Sequence, residues 1–485
     1  MSTKAQPSQP RRRELVCVIA LAVVFMCFTW RCVTMFFSDD DMMNMFKAWT
    51  MPAMNIWEAL LLPWMPVTRP LGTAVYRVAY EVFGFHPLPL YLFCWTLQIL
   101  NVFLAWRFFR AVASSAFIAL TALSLTLVHG LFQDLYLSAG TIYDQLSFSF
   151  TALAVIVYIR ARRAGNGVSP GNIALLCFIT LMAMNSKESG AALPAILLCC
   201  EFLCIRMSRK LRDLIPVYAA LGMLLAIFIF GRIRHTSDLT GNPFYRTHLD
   251  FHFWLSNIAQ YLNTLLYLRT QFDAASAAIV LVALLVLAAI LRNRTMLFGW
   301  LYFVITITPV ALIPPRAGYV LYVPFAGLGL YFAALIARIG EWISQSTREA
   351  SEGLTRGQAV AVAGIAVGMI SIHAANWPAP RIVRNSSEWR LTERMRHDYP
   401  ALKRGAKILF ADDYPTANGY DLFFDLCLLY RDPTIEVARL KGPAIQQPNR
   451  PVQEFDHVFT TGRDTYLELD HRNVAESIRL NILKK

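Results

Sequence analysis

Apolar blocks of about 15 to 25 residues recur along this 485-residue chain, and short clusters of arginine and lysine separate them. A helix rising about 1.5 Å per residue needs about 20 apolar residues to cross roughly 30 Å of hydrocarbon. The blocks therefore constrain the fold to a bundle of membrane-crossing helices. Hydrophobic residue types make up 56% of the chain and charged types only 16%, which is too apolar for a soluble globular protein. The formal charge of +13 would suit nucleic acid if it were gathered on one surface. Instead the cations fall between the blocks: Arg11, Arg12 and Arg13; Arg107 and Arg110; Arg160, Arg162 and Arg163; Arg206, Arg209, Lys210 and Arg212; Arg292 and Arg294. That spacing reports membrane topology and argues against nucleic acid as a partner.

The expected spans cover 14–36, 88–106, 112–131, 145–159, 171–186, 190–205, 213–231, 275–291, 297–313, 319–339 and 358–374. About eleven crossings, starting from a cytoplasmic N-terminus, put every basic cluster on one side and the C-terminal region outside. The N-terminus is similar to a signal peptide, but Trp30 and Arg31 follow its apolar run where small residues would mark cleavage. It reads as an uncleaved first helix. Segment 251–268 is interrupted by Asn257, Gln260, Tyr261 and Asn263. Counting it as a span would put Arg292 and Arg294 outside, so it reads as an external helix in the interface. The fold expected is an all-α polytopic membrane protein with a cytoplasmic stretch at 1–13, a transmembrane domain at 14–375 and a small extracytoplasmic α/β domain at 376–485. Apolar runs at 408–410, 422–430, 435–438 and 458–460 supply the strands and helix of that last domain. Eight of the 9 cysteines lie in or beside apolar segments and Cys427 in the polar tail, a usage that suggests neither a disulfide framework nor a zinc site.

This topology collects chemistry on the external face. Asp39, Asp40 and Asp41 follow the first span, where charge near hydrocarbon is costly. Their mutual repulsion should raise at least one pKa; the alternative role for an aspartate there is an N-cap for the segment starting at Met42. Arg69-Pro70-Leu71 lies in the same loop. Asp134 and Asp144 bracket the next turn, with His129 before them and Gly140 between. Lys187 and Glu188 are adjacent, so on a helix they would find separate partners. Arg316 precedes Tyr319 at the outer end of two spans, where an interfacial anchor is the plainer role. Asp412-Asp413-Tyr414-Pro415, after a strand, reads as a solvated turn ahead of the alternative of a site. Carboxylates can take a proton from a hydroxyl, and Arg and Lys can hold a departing phosphate.

These motifs resemble those of GT-C superfamily membrane glycosyltransferases, especially the branch with the protein O-mannosyltransferases and the tetratricopeptide-bearing mannosyltransferases. The likeness covers about residues 14–340. It runs through Asp40-Asp41, Arg69-Pro70-Leu71 with Phe83-Gly84-Phe85-His86-Pro87, His129 with Asp134 and Asp144, Ser186-Lys187-Glu188, and Arg316 with Tyr319, Tyr322 and Pro324. Asp134 stands where the family usually has Glu, no proline follows His129, Tyr143 replaces a common Arg, and no tetratricopeptide tail is present. The resemblance implies inverting transfer of a sugar from a polyprenyl-phosphate donor to an extracytoplasmic glycan, lipid or protein, in a bacterial-type inner membrane. By the same resemblance Asp40 or Asp41 is the general base, with Asp39 as its neighbour. Arg316 and Lys187 stabilise the leaving phosphate, and Arg69 serves phosphate or loop architecture. Asp134, Asp144, Glu188, His129 and Tyr319 bind substrate or support the site. Some relatives hold a divalent metal at the acids, which would fall here to Asp40 and Asp41. The competing functions are a transporter or flippase of lipid-linked sugars, which would need charge at mid-membrane and internal repeats, and a non-catalytic scaffold.

Overall fold

The computed structural model describes residues 12–127, 129–164, 167–205, 211–234, 245–269, 271–343, 354–376, 380–411, 421–440, 447–461 and 466–469. The chain is predominantly helical. Its first part runs α1 (Arg12–Thr29), α2 (Asp39–Thr50), α3 (Ala53–Leu61), α4 (Pro70–Phe83), α5 (Pro87–Ala113), α6 (Ala116–Leu127), α7 (Asp134–Leu137) and α8 (Ile142–Ala164). Then come α9 (Pro170–Ser186), α10 (Leu193–Leu203), α11 (Ile215–Arg234), α12 (Phe251–Leu265), α13 (Ala274–Ile290), α14 (Arg294–Ala311), α15 (Tyr322–Ile343), α16 (Arg356–Ala375) and α17 (Pro380–Asp398). Local sequence explains many of the starts. Pro70, Pro87 and Pro170 open α4, α5 and α9, where a missing N–H costs nothing. The side chains of Asp250 and Asp273 cap α12 and α13, and Thr355 with Gln358 forms a capping box on α16.

Seven described helices are long and apolar enough to cross a membrane: Arg12–Thr34, Pro87–Ala113, Ala139–Ala164, Arg212–Arg234, Arg294–Ala311, Gly318–Trp342 and Arg356–Ala375. The span expected over 112–131 is not one straight rod. Ala116–Leu127 and Gly130–Leu137 meet at 67°, giving an eighth crossing only if the bent pair is one span. Extended backbone at His129 makes the break. The stretch expected at 190–205 divides into a 3-10 helix, Glu188–Ala192, and the 11-residue α10. α9 and α13 are apolar but only 17 residues each. α12 is an amphipathic helix: Asn257 and Tyr261 turn inward, and Phe251 is exposed.

After α17 come β1 (Lys407–Phe410), α18 (Asp421–Leu429), β2 (Glu436–Arg439), β3 (His457–Thr461) and β4 (Tyr466–Glu468), ordered β2-β1-β3-β4 in one sheet. β1 pairs in parallel with β2 and β3, while β4 closes the edge antiparallel. Alternation along β1 sends Ile408 and Phe410 to a core with Leu422, Leu426 and Ile435, and Leu409 to a second core with Val458 and Phe455. Asp412, Asp413, Tyr414 and Pro415 lie outside the described residues. This lobe docks on the first loop. Phe46 on α2 packs between Phe423 and Phe424 (ring centroids 5.4 and 5.3 Å), and the Tyr80 hydroxyl donates to the Leu428 carbonyl at 2.6 Å. Arg431 donates to the Tyr80 carbonyl and Arg396 to the Phe85 carbonyl.

Candidate active site

The acidic triplet forms the first turn of α2, where the positive end of the helix dipole favours carboxylates. Its three members have different surroundings. Asp41 is fully buried and closes a capping box: its Oδ2 accepts the Ser38 amide at 2.8 Å, and the Ser38 hydroxyl accepts the Asp41 amide. The same carboxylate accepts the hydroxyls of Tyr91 at 3.0 Å, Tyr76 at 3.3 Å and Ser138 at 3.3 Å. Burial still holds its carboxyl above the usual range against all these donors. Both oxygens are occupied, so Asp41 is the strut of the loop, and the acceptor-hydroxyl role falls away from it.

Asp40 is the open member. Its side chain reaches solvent, while the surrounding protein raises its carboxyl above the usual range and the Asp39 carboxylate adds to the effect. Arg316 and Lys47 pull the other way. Gly140 presses against this pair: a Cβ there would lie 3.2 Å from the Asp40 Cβ and 3.3 Å from the Asp41 Oδ1. The other end of α2 is held by Arg77, whose guanidinium donates to the carbonyls of Ala48, Trp49 and Met51. α2 is therefore fixed at both ends.

The cations Lys187, Arg69 and Arg316 differ in how far they are already engaged. Lys187, only 8% exposed, forms an ion pair with Asp144 and lies 5.6 Å from the Tyr319 ring centre. Burial keeps its ammonium below the usual lysine range despite that carboxylate. Arg69 meets Glu188 with two nitrogens, at 3.0 and 2.9 Å, and stacks 5.4 Å from the Tyr143 ring. Burial opposes the ionisation of Glu188, yet Arg69 and then Arg232 bring its carboxyl down to about 2. Arg69 itself adopts left-handed backbone, φ 52° and ψ 54°, a sparsely populated conformation for a non-glycine residue. Arg316 has no carboxylate at ion-pair distance among the described residues. Its guanidinium donates to the Tyr245 hydroxyl at 3.0 Å and lies 4.7 Å from that ring, and its amide donates to the Tyr261 hydroxyl. Of Lys187, Arg69 and Arg316, it keeps most donors for a ligand.

Asp39, Asp40, Asp41, Asp144, Lys187, Glu188, Arg69, Arg316 and Tyr319 thus belong to one electrostatic neighbourhood. His129 and Asp134 have other surroundings. The His129 ring lies 4.4 Å from His373 and 5.0 Å from Tyr267, with Nε2 on the Leu265 carbonyl. Asp134 starts α7, and its carbonyl accepts the Thr141 hydroxyl, bracing the turn before α8. Both belong to the bent segment rather than to the acid cluster. The acids do not suit a resident divalent ion. Asp41 spends its oxygens on protein donors, and among the described residues no group of three or more His, Cys, Asp or Glu side chains converges.

Ser38, Tyr91, Tyr76, Tyr245 and Arg232 are the residues that sequence reasoning missed. Ser38 carried a signal, because a serine three residues before an acid at a helix start is the pattern of a capping box. The tyrosines carried none, since their roles depend on helix packing. No family model matches this chain, and a search of curated proteins found no match.

Proposed function

We propose that the chain is a GT-C-like inverting glycosyltransferase of about eleven membrane segments, taking a sugar from a polyprenyl-phosphate donor to an acceptor hydroxyl on the extracytoplasmic side. The observation that carries this reading is one open carboxylate, Asp40, within electrostatic reach of Arg316, whose guanidinium is held by a tyrosine and by no carboxylate among the described residues, over a base of Asp41, Ser38 and Tyr91. Asp40 accepts the proton of the acceptor hydroxyl, and the oxygen attacks the anomeric carbon. The bond from that carbon to phosphate oxygen breaks, and its electron pair leaves with the phosphate. Arg316 meets the charge that grows there. Removing one donor of this type typically costs about 10²–10³ in rate. Through their pairs with Asp144 and Glu188, Lys187 and Arg69 also hold α8, α9 and the first loop in register.

Asp40→Asn tests the assignment. Glycan transfer should be abolished while expression, topology and thermal unfolding stay at wild-type values; full activity in this variant would sink the proposal. Analysis of glycans in a deletion strain names the sugar and acceptor. A transporter of lipid-linked sugars is the second reading, favoured by the 67° bend between α6 and the segment that follows it, an interruption of the kind transporters use. Loss of lipid-linked sugar flux without loss of a transfer product would select it.

A further inference from the structure

α11 ends the apolar stretch Arg212–Arg234, and its Met223, Ile229, Phe230 and Ile233 side chains are exposed, as residues facing lipid would be. Arg232 lies among them in sequence but turns inward. Its guanidinium carbon is 5.1 Å from the Phe228 ring centre, and its Nε is buried with no hydrogen-bond partner among the described residues. A buried donor without an acceptor is costly. The end of α11 is pressed onto the first loop just before Arg69: a Cβ on Gly231 would come within 2.4 Å of the Trp64 Cα.

Arg232 also stands within electrostatic reach of Arg69 and Glu188. One carboxylate balances one cation, and Arg69 holds Glu188 with two nitrogens. Among the described residues one positive charge is left over at this corner, whereas Lys187 and Asp144 cancel. From the corner, Arg69 is within reach of Tyr245, which holds Arg316, which in turn acts on Asp40. Arg232, Arg69 and Arg316 are therefore linked stepwise, each within electrostatic reach of the next group, between α11 and the open carboxylate.

We propose that Arg232 and Arg69 form an anion subsite at the bilayer edge of the cluster, where a polyprenyl-borne phosphate entering sideways past α11 is first held. This rests on the glycosyltransferase reading and adds to it the entry route of the donor. Arg232 is a binding residue here: it meets the phosphate before the sugar reaches Asp40.

The test uses the full-length protein in nanodiscs with two probes, a polyprenyl monophosphate and inorganic phosphate. Wild type should bind the lipid. Arg232→Gln should weaken that binding about 10- to 100-fold, the loss expected for a charge-assisted hydrogen bond, and Arg232→Lys by less. Thermal unfolding without lipid should match wild type in at least the lysine variant, which separates binding from folding. Wild-type affinity in both variants would overturn the role of Arg232 and leave the glycosyltransferase reading intact. Binding of inorganic phosphate with the same dependence on Arg232, but none of the lipid, would overturn the lipid source. Failure of wild type to bind either probe would overturn the subsite and count against the transfer reaction as well.

Discussion

Asp41→Asn keeps the side-chain shape but puts an amide NH₂ where the Ser38 amide and the hydroxyls of Tyr91, Tyr76 and Ser138 all offer donors. At least one buried donor must then lose its acceptor, at a cost of about 1–3 kcal/mol. The expected outcome is a lower unfolding midpoint, measured on purified protein in detergent, in contrast to an unchanged midpoint for Asp40→Asn. A second residue-scale expectation concerns pH. In the proposed reaction Asp40 is a base only when ionised, so its raised pKa should move the acidic limb of the activity profile above the ordinary carboxylate range. Arg316 opposes that rise, so Arg316→Gln should move the limb to still higher pH as well as lowering the rate; a limb that stays put would separate Arg316 from Asp40. The sequence pointed to these residues because charge at a membrane boundary is conspicuous. It left Asp40 and Asp41 equivalent, because neighbours one position apart in a helix point about 100° apart, and only packing tells which one turns inward. The same limit hid the ion pairs. Separate partners were expected for Lys187 and Glu188, but sequence spacing could not name them as Asp144 and Arg69.

Helices were legible wherever an apolar block was long and uninterrupted, as in α5 and α8, because 1.5 Å per residue ties length to span. Breaks were less legible. His129-Gly130 interrupts a run whose composition alone reads as continuous, and the bend depends on His373 and Tyr267 arriving from distant segments. Close helix crossings are a third feature of this scale. α14 and α15 meet where Gly299 and Gly327 face each other: a Cβ on Gly327 would lie 2.5 Å from the Gly299 carbonyl oxygen, and one on Gly299 would lie 2.6 Å from that of Gly327. Small residues permit this approach, since packing in membranes is driven by close contact. Gly327→Val should force the two helices apart and destabilise the protein by about 1–3 kcal/mol, the usual cost of overpacking. Thermal unfolding would measure it, and an unaltered midpoint would mean that the crossing relaxes freely.

For the whole molecule, the carboxyl-terminal lobe braces the helix that carries the acids. Phe423→Asp places a charge against Phe46 and should undock the lobe. Faster limited proteolysis within the lobe and a reduced transfer rate are expected, with the membrane helices still folded; unchanged proteolysis would show that the contact is dispensable. The hydrogen bond from Tyr80 to Leu428 spans 348 positions of chain. Membrane helices are laid down in the order of synthesis, and long loops close late. The acid-bearing helix is therefore among the first parts made and among the last to be locked. Until the lobe folds, Phe46 has no cover on that side, so the geometry proposed for Asp40 would mature only once the lobe is in place. Such an arrangement would act as a built-in check on completeness during biogenesis.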